Sequence, residues 1–374
     1  MSGGRRSLAL CVIGSGRSPH LITRAMALAG RGHRVRIVSS VPVEHLPLPF
    51  VCPPDAGRLP APQRRLVSAA ALCRLLASER ADLFHVHYAA DYGAWAAWLT
   101  RRRPLVVTAM GSDVLFSEQG SQGPLGRWLT RAVLHAAGLV TCETRYLHDA
   151  LRRLGVAEDR LLSILWGIDV QRFHPAADDT ALLRRHWQLA ADDLVIFSPR
   201  VLDPLYHQHL MIDALPAILR HHPKALLLVS RFGAVASYEA ALRRQVARLG
   251  VAGRVRFLPA ADADGMAQLY RLADIVVSLA ASDGLPRTLL EAAASGCAMV
   301  IADLARYREL FTPGLDCRPV ALEAAAVAAG CLDLLGDAAS RHRLGQAARQ
   351  TAERVCDLNA DLDLLEQRMH ALLA

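Results

Sequence analysis

The sequence predicts an α/β protein built from two doubly wound domains, and three observations carry that prediction. The chain has 374 residues, more than one typical domain needs. Short apolar runs alternate with longer helical patterns, the rhythm of βαβ units on a parallel sheet. The rhythm breaks over residues 171–192, a polar stretch with one short helix, and then starts again.

In the first half, Leu8–Ile13 reads as a strand, followed by a helix around Leu21–Arg31 and a strand at Arg34–Ser39. Leu83–His87 is the next strand, then a helix over Gly93–Leu99 and a strand at Leu105–Thr108. A helix around Leu125–Ala136 leads into a strand at Gly138–Cys142. After the break, strands are expected at Leu194–Ser198, Ala225–Ser230, Val255–Leu258, Ile275–Leu279 and Ala298–Ile301. Helices over Leu210–Arg220, Tyr238–Leu249, Met266–Leu272 and Leu289–Ser295 separate them. The tail from Ala339 is helical, with a bend near Asp357–Asn359. Two such sheets imply a cleft between them, with ligands at the carboxyl ends of the strands.

Composition narrows the class. With 52% hydrophobic and 21% charged residues the chain is globular rather than disordered. The net charge of +8 is uneven: residues 1–170 carry +9 and residues 171–374 carry −1. A basic first half favours phosphates or an anionic membrane surface. Nucleic acid is disfavoured, since no recognition motif accompanies the charge and aromatics make up only 5%. The eight cysteines show no CxxC spacing and lie mostly in apolar runs, which reads as free thiols in a reducing, cytoplasmic compartment. No apolar run approaches the ~20 residues of a spanning helix. Arg5-Arg6 before LALCVIGSG mimics a signal peptide but lacks a small-residue cleavage site and reads better as a first strand. No His/Cys cluster has metal-ligand spacing, and Asp262-Ala263-Asp264 reads as a turn or helix cap rather than a metal motif.

Two glycine turns stand where strands enter helices. Gly14-Ser15-Gly16-Arg17-Ser18-Pro19-His20 lacks the third glycine of a dinucleotide fingerprint, and Ser39-Ser40 replaces the acid that would end the second strand, so a dehydrogenase is disfavoured. The second turn is Ser282-Asp283-Gly284-Leu285-Pro286-Arg287-Thr288-Leu289-Leu290-Glu291. Backbone N–H groups at that helix start suit a diphosphate. Asp283 and Glu291, eight residues apart, bracket the turn, and carboxylates bind sugar hydroxyls well. Glu291 lies among small apolar residues, where an unpaired charge would be costly.

This segment resembles the E-x7-E motif of the retaining family-four glycosyltransferases, with Asp283 in place of the first Glu. ADLFHVHYAADYGAWAA, PLVVTAMGSDVL, LSILWGIDVQRFHP and SPRVLDPLYHQHLMIDAL resemble other stretches of that family in the right order, so the likeness spans nearly the whole chain. It implies the GT-B fold of two Rossmann-like domains: 1–170 on the acceptor side, 171–355 binding the nucleotide sugar, and a helix at 356–374 packing back on the first domain. It implies a metal-independent transferase without a cofactor, taking a nucleotide-sugar donor and a glycan or lipid-linked acceptor. It also implies roles. Arg200 meets the donor diphosphate, Glu291 the ribose hydroxyls and Asp283 the sugar hydroxyls. Gly284, Leu285, Pro286, Arg287 and Thr288 form the donor loop. Gly14, Gly16, His20, His87, Gly111 and Asp113 lie on the acceptor side.

Three departures qualify the pattern. Tyr206-His207 stand where the family has a lysine, Arg231 replaces a glycine-acid turn and is the candidate second cation, and Met110 replaces a histidine. A base or sugar contact would then fall to His20, His87 or Asp113, and only one of His85 and His87 is expected to face the site. The missing lysine and Met110 motivate a non-catalytic nucleotide-sugar-binding protein as the alternative. Arg64-Arg65, Arg127-Trp128 and Arg131 place basic residues on helices with apolar stripes, which suits a peripheral position on an anionic bilayer.

Overall fold

The computed structural model describes residues 6–55, 61–116, 123–175, 180–283 and 286–374, and the side chains of 61, 62 and 64–66 lie outside that description. The chain divides into two compact units. Unit 1 is Met1–Trp166 with Asn359–Ala374, and unit 2 is Gly167–Leu358. The boundaries fall a few residues from the 170/171 and 355/356 positions read from the sequence.

Unit 1 holds a seven-stranded parallel sheet: β1 (Ala9–Gly14), β2 (Arg34–Ser39), β3 (Phe50–Val51), β4 (Leu83–His87), β5 (Leu105–Thr108), β6 (Leu139–Cys142) and β7 (Leu161–Ser163). Its order is β3-β2-β1-β4-β5-β6-β7, so the winding reverses between β1 and β4. There Leu10 pairs with Leu83 and Ile13 with Val86. All five residues of β4 are buried, as expected for a central strand covered on both faces. The Pro19–Gly30 helix starts where Ser18 accepts a bond from Leu21 N and Pro19 supplies a preset φ. It buries Leu21, Ala25 and Leu28 at helical spacing, and Arg24 beside them. The Arg145–Arg153 helix is capped by Thr144 and buries Leu147, Ala150 and Leu151.

Unit 2 repeats the plan with β8 (Leu194–Ser198), β9 (Ala225–Ser230), β10 (Val255–Leu258), β11 (Ile275–Ser278), β12 (Ala298–Ala302) and β13 (Arg318–Val320). The order β10-β9-β8-β11-β12-β13 is again parallel, reversing between β8 and β11, where Ile196 pairs with Ile275. Asp262 caps the Ala263–Leu272 helix by accepting from Gly265 N at 2.9 Å, so the D-x-D there is a helix start. The Ala338–Val355 helix lies so close to the turn before β12 that a Cβ on Gly345 would collide with Gly296 O.

Short peripheral elements separate the structure from the sequence reading. β3, β7 and β13 are two or three residues long, too short to show a period. The Ala324–Leu335 helix is apolar nearly all round, so its helical period is faint.

Candidate functional site

In unit 2 the candidate site grows from the loop after β8. Arg200 lies two residues beyond that strand and is 7% exposed. Its Nη2 donates to Asp283 Oδ2 at 2.6 Å and its Nη1 to Thr288 Oγ1 at 3.1 Å. Its guanidinium carbon stands 4.2 Å from the centre of the Tyr206 ring. Asp203 fixes the turn that carries Tyr206 by accepting from Leu205 N at 2.9 Å. Burial works against the Arg200 charge, but Asp283, Tyr206 and Tyr307 outweigh it and hold its pKa above the ordinary value. Arg200 Nε is buried without a hydrogen-bond partner.

The Arg287–Ala294 helix begins at this point. Its N-cap is Pro286, which makes no side-chain cap bond, so neither Ser282 nor Asp283 caps it. Thr288 in the first turn therefore brings Arg200 to the positive end of a helix dipole. Asp283 also accepts from Tyr307 Oη at 3.2 Å, and Arg306 donates to its carbonyl oxygen. Glu291, two turns along, has Oε2 3.2 Å from Tyr270 Oη and Oε1 3.8 Å from Arg287 Nε. Burial pushes the Glu291 carboxyl up, against the pull of Arg287 and Tyr270. Arg287 also donates to Gly167 O at 3.0 Å. Gly284 and Leu285 lie outside the described residues.

Arg231 does not join this group. It follows β9, its side chain is 44% exposed, and its Nε bonds Glu239 at 3.0 Å. Glu239 also takes Arg243 Nη2 at 2.7 Å, and these two arginines, Arg243 first, hold its carboxylate below the usual range.

In unit 1 the first glycine turn wraps the end of β1. A Cβ on Gly14, whose φ is +152°, would lie 2.8 Å from His87 O. Gly16 N donates to the buried Ser39 Oγ at 3.0 Å, so the serine that replaces a dinucleotide-binding acid braces the loop instead. His20 is half-buried in the first turn of the Pro19–Gly30 helix.

His85 and His87 both face the same side, contrary to expectation: residues two apart on a strand share a face, and the two rings lie 4.4 Å apart. His85 stacks on Trp166 at 5.9 Å, and His87 lies tilted to it at 6.0 Å. His85 Nε2 lies 2.8 Å from Thr108 Oγ1, while both ring nitrogens of His87 are buried without a hydrogen-bond partner. Burial, and for His87 the neighbouring His85, drives His85 down to about 3 and His87 well below the ordinary histidine value. Both are therefore neutral imidazoles and weak bases.

The loop after β5 is organised by Asp113, which is fully buried. It accepts from Ala89 N at 2.7 Å, Met110 N at 3.0 Å and Gly111 N at 2.9 Å. Burial raises its carboxyl despite those donors. Gly111 has φ +115°, which the turn requires and only glycine adopts readily. Met110 takes up Arg24, whose Nη1 lies 2.9 Å from the Met110 sulfur and whose guanidinium covers Trp166 at 4.8 Å. Arg24 is also paired with Glu143.

The sequence reading missed Tyr270, Tyr307, Arg306, Arg24 and Trp166. Trp166 alone carried a signal, since it precedes the glycine of WGID. The others are far in sequence from the partners they meet, 24 residues for Tyr307 and Asp283, 21 for Tyr270 and Glu291 and 86 for Arg24 and Met110, and only folding brings them in.

The family profile described as "Glycosyltransferase Family 4" matches residues 15–172, and the one described as "Glycosyl transferases group 1" matches residues 179–351. A D-inositol 3-phosphate glycosyltransferase of Nocardia farcinica is 27% identical over 236 residues, covering 60% of this chain and 51% of the relative. One of Streptomyces bingchenggensis is 27% identical over 300 residues, covering 73% and 66%. The chain thus spans about half to two thirds of the length of these curated relatives. Among solved structures, sucrose-phosphate synthase from Thermosynechococcus elongatus superposes with a TM-score of 0.81 at 20% identity, covering 98% of this chain and 99% of that one. Anabaena HepE in complex with UDP and glucose gives 0.80 at 20%, covering 97% and 100%. WaaG, a glycosyltransferase involved in lipopolysaccharide biosynthesis, gives 0.75 at 17%, covering 96% and 99%. These likenesses establish the GT-B fold.

Proposed function

We propose, because the chain belongs to the family-four glycosyltransferases, that it moves a sugar from a nucleotide-sugar donor to a glycan or lipid-linked acceptor in envelope or polysaccharide synthesis, with retention and without a divalent metal. The observation that carries this reading is Arg200, held at an uncapped helix start by Asp283 and Thr288. A departing nucleoside diphosphate needs its growing negative charge met, and a fixed guanidinium beside helix N–H groups does that without a cation. Asp283 and Glu291 then hold sugar and ribose hydroxyls.

The bond from the anomeric carbon to the phosphate oxygen breaks as the acceptor oxygen bonds the same face. The acceptor proton passes to the departing phosphate oxygen. Support for that route comes from unit 1, where two of the three candidate bases are poorly placed to take a proton: burial makes His87 a weak base, and Asp113 is bound to three backbone N–H groups. The family match over both halves of the chain weighs against the non-catalytic alternative, and Tyr206, in the sequence neighbourhood of the family's lysine, supports the Arg200 charge.

The test is calorimetry with UDP, GDP, ADP and their sugars, followed by transfer assays on the donor that binds. UDP-glucose is the first candidate because the HepE structure was solved with it, and inositol phosphate and lipid-linked glycans are the first acceptors. Binding without hydrolysis or transfer under any pairing would overturn the enzymatic reading.

The finer part of the proposal is a peripheral place on the cytosolic leaflet. Its support is the +9 charge of residues 1–170 together with exposed apolar groups on neighbouring helices: Leu99 at 59%, Leu125 at 68% and Trp128 at 56% exposure. Trp98 and Trp128 meet edge to face at 5.6 Å, and Arg127 and Arg131 flank Phe116. Aromatic and basic side chains together suit a lipid headgroup layer. Arg64 and Arg65 lie on the Ala61–Ser78 helix, and their side chains are outside the described residues. No helix among the described residues is long and apolar enough to cross a membrane. Co-sedimentation with anionic vesicles should fall with salt and with Arg127→Glu/Arg131→Glu; protein remaining in the supernatant at low salt would refute the membrane part alone.

A further inference from the structure

The two acids of the donor segment each rest on a buried tyrosine that no motif predicts. Tyr307 lies in the Ala305–Glu309 turn after β12, and Tyr270 near the end of the Ala263–Leu272 helix before β11. Both are 1% exposed. Tyr307 Oη is 3.2 Å from Asp283 Oδ2, and Tyr270 Oη is 3.2 Å from both Glu291 Oε2 and Thr288 O. The Tyr270 ring is fixed edge-on by Phe197 at 5.5 Å and Phe173 at 6.0 Å.

A buried phenol must find an acceptor, and a buried carboxylate must find donors. Tyr307 therefore fixes one oxygen of Asp283, and Tyr270 shares its single proton between Glu291 and the Thr288 carbonyl, tying Glu291 to the first turn of its own helix. Tyr307 and Arg200 both donate to Oδ2 of Asp283, and Arg306 holds the same residue by its carbonyl, so the direction of Oδ1 is set. Tyr270 engages Oε2 of Glu291 and Arg287 lies beside Oε1, so that side chain is steered from two sides.

We propose that Tyr307 and Tyr270 are positioning residues with separate duties: Tyr307 aims Asp283 at the donor sugar, and Tyr270 aims Glu291 at the nucleoside. This rests on the reading that these acids hold sugar and ribose. The two duties are separable because different donors serve each acid, Tyr307 and Arg200 for Asp283 and Tyr270 with Arg287 for Glu291, while Thr288 touches both groups through its hydroxyl and its carbonyl. Loss of Tyr307 should leave the nucleoside diphosphate bound as before while the sugar is held loosely. Loss of Tyr270 should weaken nucleotide and nucleotide sugar alike.

The experiment compares UDP and UDP-glucose binding, with kcat and KM, in the full chain carrying Tyr307→Phe or Tyr270→Phe. Tyr307→Phe should lower kcat about 10-fold and abolish the affinity difference between UDP-glucose and UDP, with the UDP Kd within about 2-fold of wild type. Tyr270→Phe should raise the Kd of both ligands about 10-fold and leave kcat within about 2-fold. A merely structural role would lower the melting temperature and either spare both ligands or weaken both in both variants, and that outcome overturns the proposal. Asp283→Asn and Glu291→Gln distinguish the two levels: if neither changes either affinity, the donor-site reading fails, whereas if they act and the phenylalanine variants do not, only the clamp fails. Adding Tyr307→Phe to Asp283→Asn should cost nothing more. That pair also serves if Tyr307→Phe alone does not fold, because it removes the buried charge left short of a donor.

Discussion

Where the sheet of unit 1 reverses, β1 ends in Gly14 against the backbone of His87, and the neighbouring groups are two neutral imidazoles and an indole. Where the sheet of unit 2 reverses, β8 leads to an arginine paired with an aspartate at a helix start. Strand order is the same at both points. The first surrounds neutral rings with the buried Arg24–Glu143 pair, and the second sets the Arg200–Asp283 pair at a helix start. A topology supplies the crevice, and the residues at its rim decide what enters.

The comparison breaks most visibly in acid. His85 and His87 have folded-state pKa values below those of the unfolded chain, so the folded state binds fewer protons. Their contribution to stability is complete above the unfolded value of about 6.5 and is lost as pH falls toward the folded values. Each should steepen the fall by up to about 1.4 kcal/mol per pH unit. Urea melts between pH 7 and 4 should show unit 1 weakening in this way, and replacing both histidines by Asn should flatten the profile. An unchanged profile would mean that the pair is charged or hydrated when folded.

Arg200→Ala and Glu291→Ala probe the charged side. Each should cut transfer by at least about 10²-fold with circular dichroism unchanged, because the proposed leaving-group and ribose contacts would be lost in turn. Near-wild-type activity in either would remove that residue from the site. Gly14→Ala comes next: a methyl 2.8 Å from His87 O at a φ of +152° should cost about 1–3 kcal/mol, read as a lower melting temperature. The smallest expected effect is that of EDTA, which should leave most activity because arginine and a helix terminus meet the diphosphate charge. Complete loss, restored by one cation, would transfer that task to a metal.

The central strands were legible because they are buried on both faces and read as unbroken apolar runs, as in LFHVH and ALLLVS. Arg200, Thr288, Asp283 and Glu291 were legible because the last three lie on one strand-to-helix turn and the first follows a strand end. The tyrosines behind the acids were not, since Tyr307 is 24 residues from Asp283 and Tyr270 is 21 from Glu291. Arg231, which follows a strand end, has a partner that its position did not announce: Glu239, eight residues on, pairs with it. Sequence distance conceals partners that a sheet brings together, and it conceals competitors equally well.

Unit 1 is assembled from both ends of the chain. Glu366, 3% exposed, binds Arg31 Nε at 3.0 Å and lies 3.4 Å from His33 Nε2, and a Cβ on Gly138 would meet Leu372 at 2.8 Å. Residues 359–374 leave the ribosome after the whole of unit 2. Unit 2 can therefore close its core during synthesis, while Arg31 and the Nε2 side of His33 go without Glu366 until the unit that starts last has already finished. The order of translation and the order of completion are reversed, and a nascent chain stalled before residue 359 would present a finished second unit beside an incomplete first one.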